Sequence, residues 1–99
     1  MSTPEENFEI ARDESNDRSA RESAIGGLET ANECDSLADL ARMDDLDETL
    51  RERALAGLAH PQCKLLLREL AEGEDLPDSL RERAETLLDD TPGDTGAGP

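Results

Sequence analysis

The chain has no tryptophan, no tyrosine and a single phenylalanine among 99 residues. A pocket that stacks a flat cofactor on aromatic rings therefore has almost nothing to be built from. Valine is absent too, and no stretch alternates strictly between apolar and polar residues, so strands are not expected. No apolar run approaches the ~20 residues of a membrane-spanning helix. The first residues, Met1-Ser2-Thr3-Pro4-Glu5-Glu6, lack the basic and hydrophobic regions of a signal peptide. The expected location is the cytoplasm. The two cysteines, Cys34 and Cys63, are too few for a disulfide scaffold and are expected there as reduced thiols. Basic residues are also scarce: ten against 26 acids, for a net charge of −16. Nucleic-acid affinity rests on cationic contacts to phosphate, so DNA or RNA is not an expected partner.

Leu, Ile and Phe together number 18 of the 99 residues. With this much charge, such a composition is ordinarily that of a disordered chain. The placement of the apolar residues argues otherwise. Residues 20–28, 50–58 and 80–88 align without a gap as ARESAIGGL, LRERALAGL and LRERAETLL. The 30-residue period extends to Leu37, Leu40, Ala41 and Leu46 over Leu67, Leu70, Ala71 and Leu76, and to Ile10-Ala11-Arg12 over Leu40-Ala41-Arg42. A period of this size marks stacked supersecondary units. Each period holds two segments of helical spacing. The spacing predicts helices over about 4–13, 17–28, 32–43, 47–58, 62–72 and 76–89, which makes the protein all-α with about six helices in residues 1–89. Thr3 before Pro4, Pro61 and Pro77 suit helix starts, and Gly73 suits a stop. Residues 90–99 have no apolar stripe and several helix breakers, and are expected to form a disordered tail.

Nine of the ten bases are arginine and only Lys64 is lysine. Abundant acids, scarce lysine and few aromatics resemble the composition of proteins from salt-accumulating, halophilic archaea. Molar salt shortens the Debye length to ~3 Å and screens the self-repulsion of such a surface. A nucleic-acid mimic or a binder of basic partners is the rival reading. Here the acids run along the whole chain and are not gathered in a tail, which favours salt adaptation.

An Asp-x-x-x-Arg-x-x-Ala pattern recurs as Asp17, Arg21 and Ala24, and as Asp47, Arg51 and Ala54. The third unit keeps Arg81 and Ala84, with its acid moved to Asp78. Residues 10–88 thereby resemble the short HEAT-like repeats of the phycobilisome-lyase type, a family that includes lyases, scaffolds and regulatory adaptors. The resemblance implies a short α-solenoid of antiparallel helical hairpins, with the first helix of each period lining a concave groove. It further implies that the Asp and Arg of each unit tie neighbouring hairpins together. Glu85 replaces the apolar Ile25 and Leu55 of the earlier units, as expected at a water-facing end cap.

Little in the chain points to catalysis. Cys34, His60 and Cys63 could suggest a metal or thiol site, but a structural zinc site needs four ligands with tight paired spacing. Cys63 shares a stripe with Leu67 and Leu70, which reads as a buried apolar thiol. Asp44-Asp45-Asp47-Glu48 lacks the spaced ligands and central glycine of a calcium loop. Gly26-Gly27 has no strand before it and no lysine after it, so it is not a phosphate loop. No cofactor, metal or enzymatic activity is expected.

On a helical wheel, Asp35, Asp39 and Arg42 point away from the core stripe. The equivalent positions 30 residues on are Leu65, Glu69 and Glu72, with Arg68 at the edge. Leu65 is apolar where the register predicts water. The expectation is a protein-interaction or adaptor module that contacts a partner through this face, with Leu65 as hydrophobic anchor and Arg42 and Arg68 as charge anchors for an acidic protein. Two alternatives are a lyase-like accessory holding a chromophore or carrier segment, and a self-associating structural protein.

Overall fold

Helix α1 (Pro4–Arg12) begins at a capping box. Glu6 N–H donates to Thr3 Oγ1 over 3.1 Å, and Thr3 N–H donates to Glu6 Oε1 over 3.0 Å. Two of the amides that a helix start leaves without partners are thus satisfied. In the computed structural model, which describes residues 3–91, five further α-helices follow: α2 (Arg18–Thr30), α3 (Cys34–Arg42), α4 (Glu48–Gly57), α5 (Lys64–Glu72) and α6 (Asp78–Asp90). One 3₁₀ turn, Pro61–Cys63, leads into α5. There is no strand among the described residues. Every helix expected from the periodicity is present, with ends shifted by one or two residues.

Asp17 and Asp47 cap α2 and α4, accepting from Ala20 N–H at 2.8 Å and Thr49 N–H at 3.2 Å. The end of α2 depends on Asn32, the one non-glycine residue of positive φ among those described (57°). Asn32 N–H donates to Glu29 O and Glu33 N–H to Leu28 O, which completes a Schellman stop with asparagine where glycine is usual. Gly73 closes α5 as expected. Pro77 serves as the N-cap of α6, one position earlier than its expected place in the first turn.

The core is the 30-residue register made solid. Ile25 and Leu55, Leu28 and Leu58, Leu37 and Leu67, Leu40 and Leu70, and Leu50 and Leu80 are all fully buried pairs. Ala24, Ala54 and Ala84 lie with them, as do Ala11, Ala41 and Ala71. The small residues let helices approach closely: a Cβ on Gly57 would stand 3.3 Å from both methyls of Leu37. Consecutive helices pack as pairs, α1 on α2, α3 on α4 and α5 on α6. The pairs then join mainly through α2–α4 and α4–α6, and less extensively through α2–α3, α3–α5 and α1–α3. The shortest dimension of 17 Å leaves room for two helices. Glu85 lies exposed on α6, the last helix among the described residues.

Two expectations need correction or restriction. The repeated arginines do not tie neighbouring hairpins together; each works inside its own. Arg21 Nε donates to Ala11 O and Arg51 Nε to Ala41 O, both at 2.9 Å, and Arg81 Nη1 donates to Gly73 O at 3.2 Å. Each guanidinium meets carbonyls at the C-terminal, negative end of the preceding helix, where a cation is most favourable. Ties between hairpins come instead from pairs such as Arg18 Nη1 with Asp47 Oδ2, the repeated aspartate of the second unit, at 3.0 Å, and Arg53 Nη1 with Glu29 Oε1 at 2.9 Å. Of the tail expected over 90–99, residues 92–99 lie outside the described residues. Asp90 still belongs to α6, and Thr91 is buried, its hydroxyl donating to Leu87 O over 2.7 Å and its carbonyl accepting from Lys64 Nζ over 3.1 Å.

Candidate functional site

Helices α3 and α5 pack on each other and carry every residue of the expected docking face. Their inner stripes, Leu37, Leu40 and Ala41 on one and Leu67, Leu70 and Ala71 on the other, are spent on the core. Helical periodicity therefore turns Asp35 and Asp39 on α3, and Leu65, Arg68, Glu69 and Glu72 on α5, outward, and all six are exposed. Leu65 is 66% exposed and is the large hydrophobic side chain that stands out in water among the described residues. A shallow hollow beside it is lined by Pro61, Lys64, Leu65 and Arg68.

The charges on this face differ in availability. Arg42 is half-buried and committed: Nη1 is 3.5 Å from Asp39 Oδ1, and Nε is 3.3 Å from Asp75 Oδ2 in the turn before α6. It clamps α3 to the following turn. Arg68 has no ion pair or side-chain hydrogen bond among the described residues, so its guanidinium is available to a ligand.

The cysteines are where the structure departs most from the sequence reading. Cys34 and Cys63 are joined as a disulfide and are not reduced thiols; no free cysteine remains. The start of α3 and the 3₁₀ turn before α5 bring their Cα atoms to 5.4 Å, inside the range a disulfide requires. Redox compartment alone could not reveal this proximity. The two sulfurs are unequally placed. Cys63 is 1% exposed, whereas Cys34, the first residue of α3, is partly open to solvent. His60 belongs to the same corner. It caps the 3₁₀ turn, in which residues three apart eclipse, and its Nε2 lies 3.3 Å from Cys63 Sγ.

The other acidic candidates are absorbed by the fold. Asp47 caps α4 and pairs with Arg18, which holds its carboxyl below the usual carboxylate range, through that ion pair first and the Thr49 bonds after it. Asp44 stands 3.9 Å from the Nη2 of buried Arg51. Asp13 is also held low, by the backbone N–H and hydroxyl of Ser15 and then by the nearby charges of Arg21 and Arg12. No group of three or more His, Cys, Asp or Glu among the described residues is arranged to hold a metal ion. Gly26 and Gly27 lie inside α2, and a Cβ at Gly27 would come within 2.5 Å of Asn7 Nδ2, so that glycine serves the close approach of α1.

No protein-family model, curated protein or solved structure matches the chain.

Proposed function

We propose that this chain is a protein-interaction module, a short HEAT-like stack of three helical hairpins that docks a helical segment of a partner protein on its α3–α5 side. Support for the stack comes from the buried 30-residue register and from hairpins joined in series through α2, α4 and α6. The resemblance then makes α3 and α5 the concave side. The composition supports a salt-rich cytoplasm as the setting.

The observation that carries the reading is Leu65. An exposed leucine on its own is ordinary. This one borders a hollow and sits one helical turn from Arg68, a cation without a partner among the described residues. That pairing suits a partner helix offering one apolar side chain to Leu65 and one carboxylate to Arg68. Arg42 is spent on Asp39 and Asp75 and is assigned no binding role.

The test is affinity capture from lysate in molar KCl with the wild type, Leu65→Asp, Arg68→Glu and a remote control, Glu82→Gln on α6. A protein retained by wild type and control but lost with both face variants supports this docking surface. Equal retention by all four chains removes it, and capture of only the chain itself points to self-association.

A further inference from the structure

We propose that the Cys34–Cys63 disulfide is a thiol-exchange site, opened at Cys34 by a low-molecular-weight thiol while His60 receives the departing Cys63 sulfur. The inference stands apart from the docking reading, since it requires no partner protein.

Direction follows from geometry and charge. Cys34 is partly exposed and Cys63 is 1% exposed, so an incoming thiolate reaches Cys34. Exchange is faster when the departing thiol is the more acidic one. On Cys63 a developing negative charge meets two groups that offset the cost of its burial. His60 Nε2 is 3.3 Å from Cys63 Sγ, and Cys63 is the N-cap of α5, at the positive end of a nine-residue helix. Cys34 also starts a helix, but Glu33 and Asp35 flank it and oppose a second negative charge there. Access selects Cys34 for attack, and His60 and the start of α5 are placed to take up the charge left on Cys63.

The chemistry balances without a cofactor. The thiolate sulfur of RS⁻ forms a bond to Cys34 Sγ as the Cys34–Cys63 bond breaks, leaving a mixed disulfide on Cys34 and a thiolate on Cys63. His60, when protonated, gives that thiolate its proton. A second RS⁻ attacks the R sulfur of the mixed disulfide, expelling Cys34 as a thiolate and releasing RSSR. Two electrons have passed from two small thiols to the protein disulfide. Run backwards, a small disulfide RSSR oxidises the pair and closes the crosslink. In a reducing cytoplasm, disulfides of this transient kind are the ones that form. The consequence is local: the crosslink joins the start of α3 to the turn before α5, two residues from Leu65.

The test is to treat the full chain with reduced glutathione in molar KCl, trap free thiols with N-ethylmaleimide at timed intervals, and map the adducts by mass spectrometry. The expected result is opening of the folded protein by millimolar glutathione, with glutathione found on Cys34. Cys63→Ser treated with oxidised glutathione should keep the adduct on Cys34, and Cys34→Ser should leave Cys63 unmodified. His60→Gln should slow opening by about three- to tenfold while leaving the helical circular dichroism and the melting of the reduced form unchanged. A bond that opens only after denaturation would make it a structural staple and overturn the proposal. So would an adduct on Cys63, an unchanged rate in His60→Gln, or a reduced pair that oxidised glutathione fails to join.

Discussion

Raising the salt concentration should stabilise this protein far more than it stabilises an ordinary small domain, and the size of the effect can be worked from its charge and dimensions. The net charge of −16 is held within a radius of gyration of 13.2 Å. A uniform sphere of that gyration radius has a radius of about 17 Å, and the unfolded chain, with a gyration radius of about 32 Å, behaves as one of about 41 Å. Spread over such a sphere in water, the charge has a self-energy of about 31 kcal/mol folded and about 13 kcal/mol unfolded, before screening. With a Debye length of ~10 Å near 0.1 M salt, the folded state carries an excess repulsion of about 9 kcal/mol. At ~3 Å, near 1 M, the excess falls to about 4 kcal/mol. The relief of about 5 kcal/mol rivals the whole stability of a small domain and corresponds to a rise in melting temperature of about 20–40 °C.

Thermal melts followed by far-ultraviolet circular dichroism across a KCl series measure it directly. A variant isolates charge from other effects of salt. Glu14, Glu52, Glu82 and Glu85 are exposed and make no side-chain bond among the described residues. Replacing these four by glutamine takes the charge from −16 to −12, and repulsion scaling as the square should then fall to about 0.56 of its value. The variant should melt higher than wild type at low salt and show about half its salt response. A wild-type rise of only a few degrees, or an undiminished response in the variant, would refute the electrostatic reasoning and with it the salt-adapted reading of the composition.

Arg51→Ala should destabilise by about 2 kcal/mol, because it removes a charged donor from the buried Ala41 carbonyl; Arg81→Ala, whose guanidinium is partly exposed, should cost less than half as much by denaturant titration. Gly57→Ala should destabilise by about 1 kcal/mol, since the new Cβ meets the methyls of fully buried Leu37 at 3.3 Å and overpacking outweighs the gain in helix propensity. Gly26→Ala, whose nearest neighbour would be Arg53 Nη2 at 3.5 Å, should instead stabilise by about 0.5 kcal/mol in the same melts. Asp13 and Asp47 have folded-state pKa values below the unfolded value of about 3.8. Their stabilisation is therefore present above that value and lost as pH falls through the lower folded values. Asp47→Asn in molar KCl should lower stability at pH 6 and flatten its decline below about pH 4, and an unaltered acid limb would remove Asp47 from the account.

The helices were legible in the sequence because a repeat states the same packing rule three times. Leu28 and Leu58, or Leu37 and Leu67, can be aligned without knowing where any of them sits, and burial then follows from stacking. The arginines were legible as important but not in direction. A residue in the first turn of one helix can reach the previous helix or the next, and only the antiparallel return of the chain places the Ala11 and Ala41 carbonyls 2.9 Å from Arg21 and Arg51. The stop at Asn32 went unread because asparagine tolerates positive φ without demanding it. The outward face was readable from the wheel, yet Arg42 shows the limit of that method. A wheel gives the direction of a side chain and not the distance to Asp75, which lies beyond the end of α5. The disulfide is the same limit in sharper form. Cys34 and Cys63 are 29 residues apart and one position out of repeat register, so the period that aligned the core gave no reason to join them. What joins them is the 3₁₀ turn that Pro61 starts, a local departure from the repeat. That turn also places His60 against the sulfur, and Leu65, exposed where its register mate is Asp35, follows two residues later, so the non-repeating residues of this chain gather at one corner. Helical hairpins built on one register supply the support, and chemistry specific to this protein has to arise where one of them differs from the others.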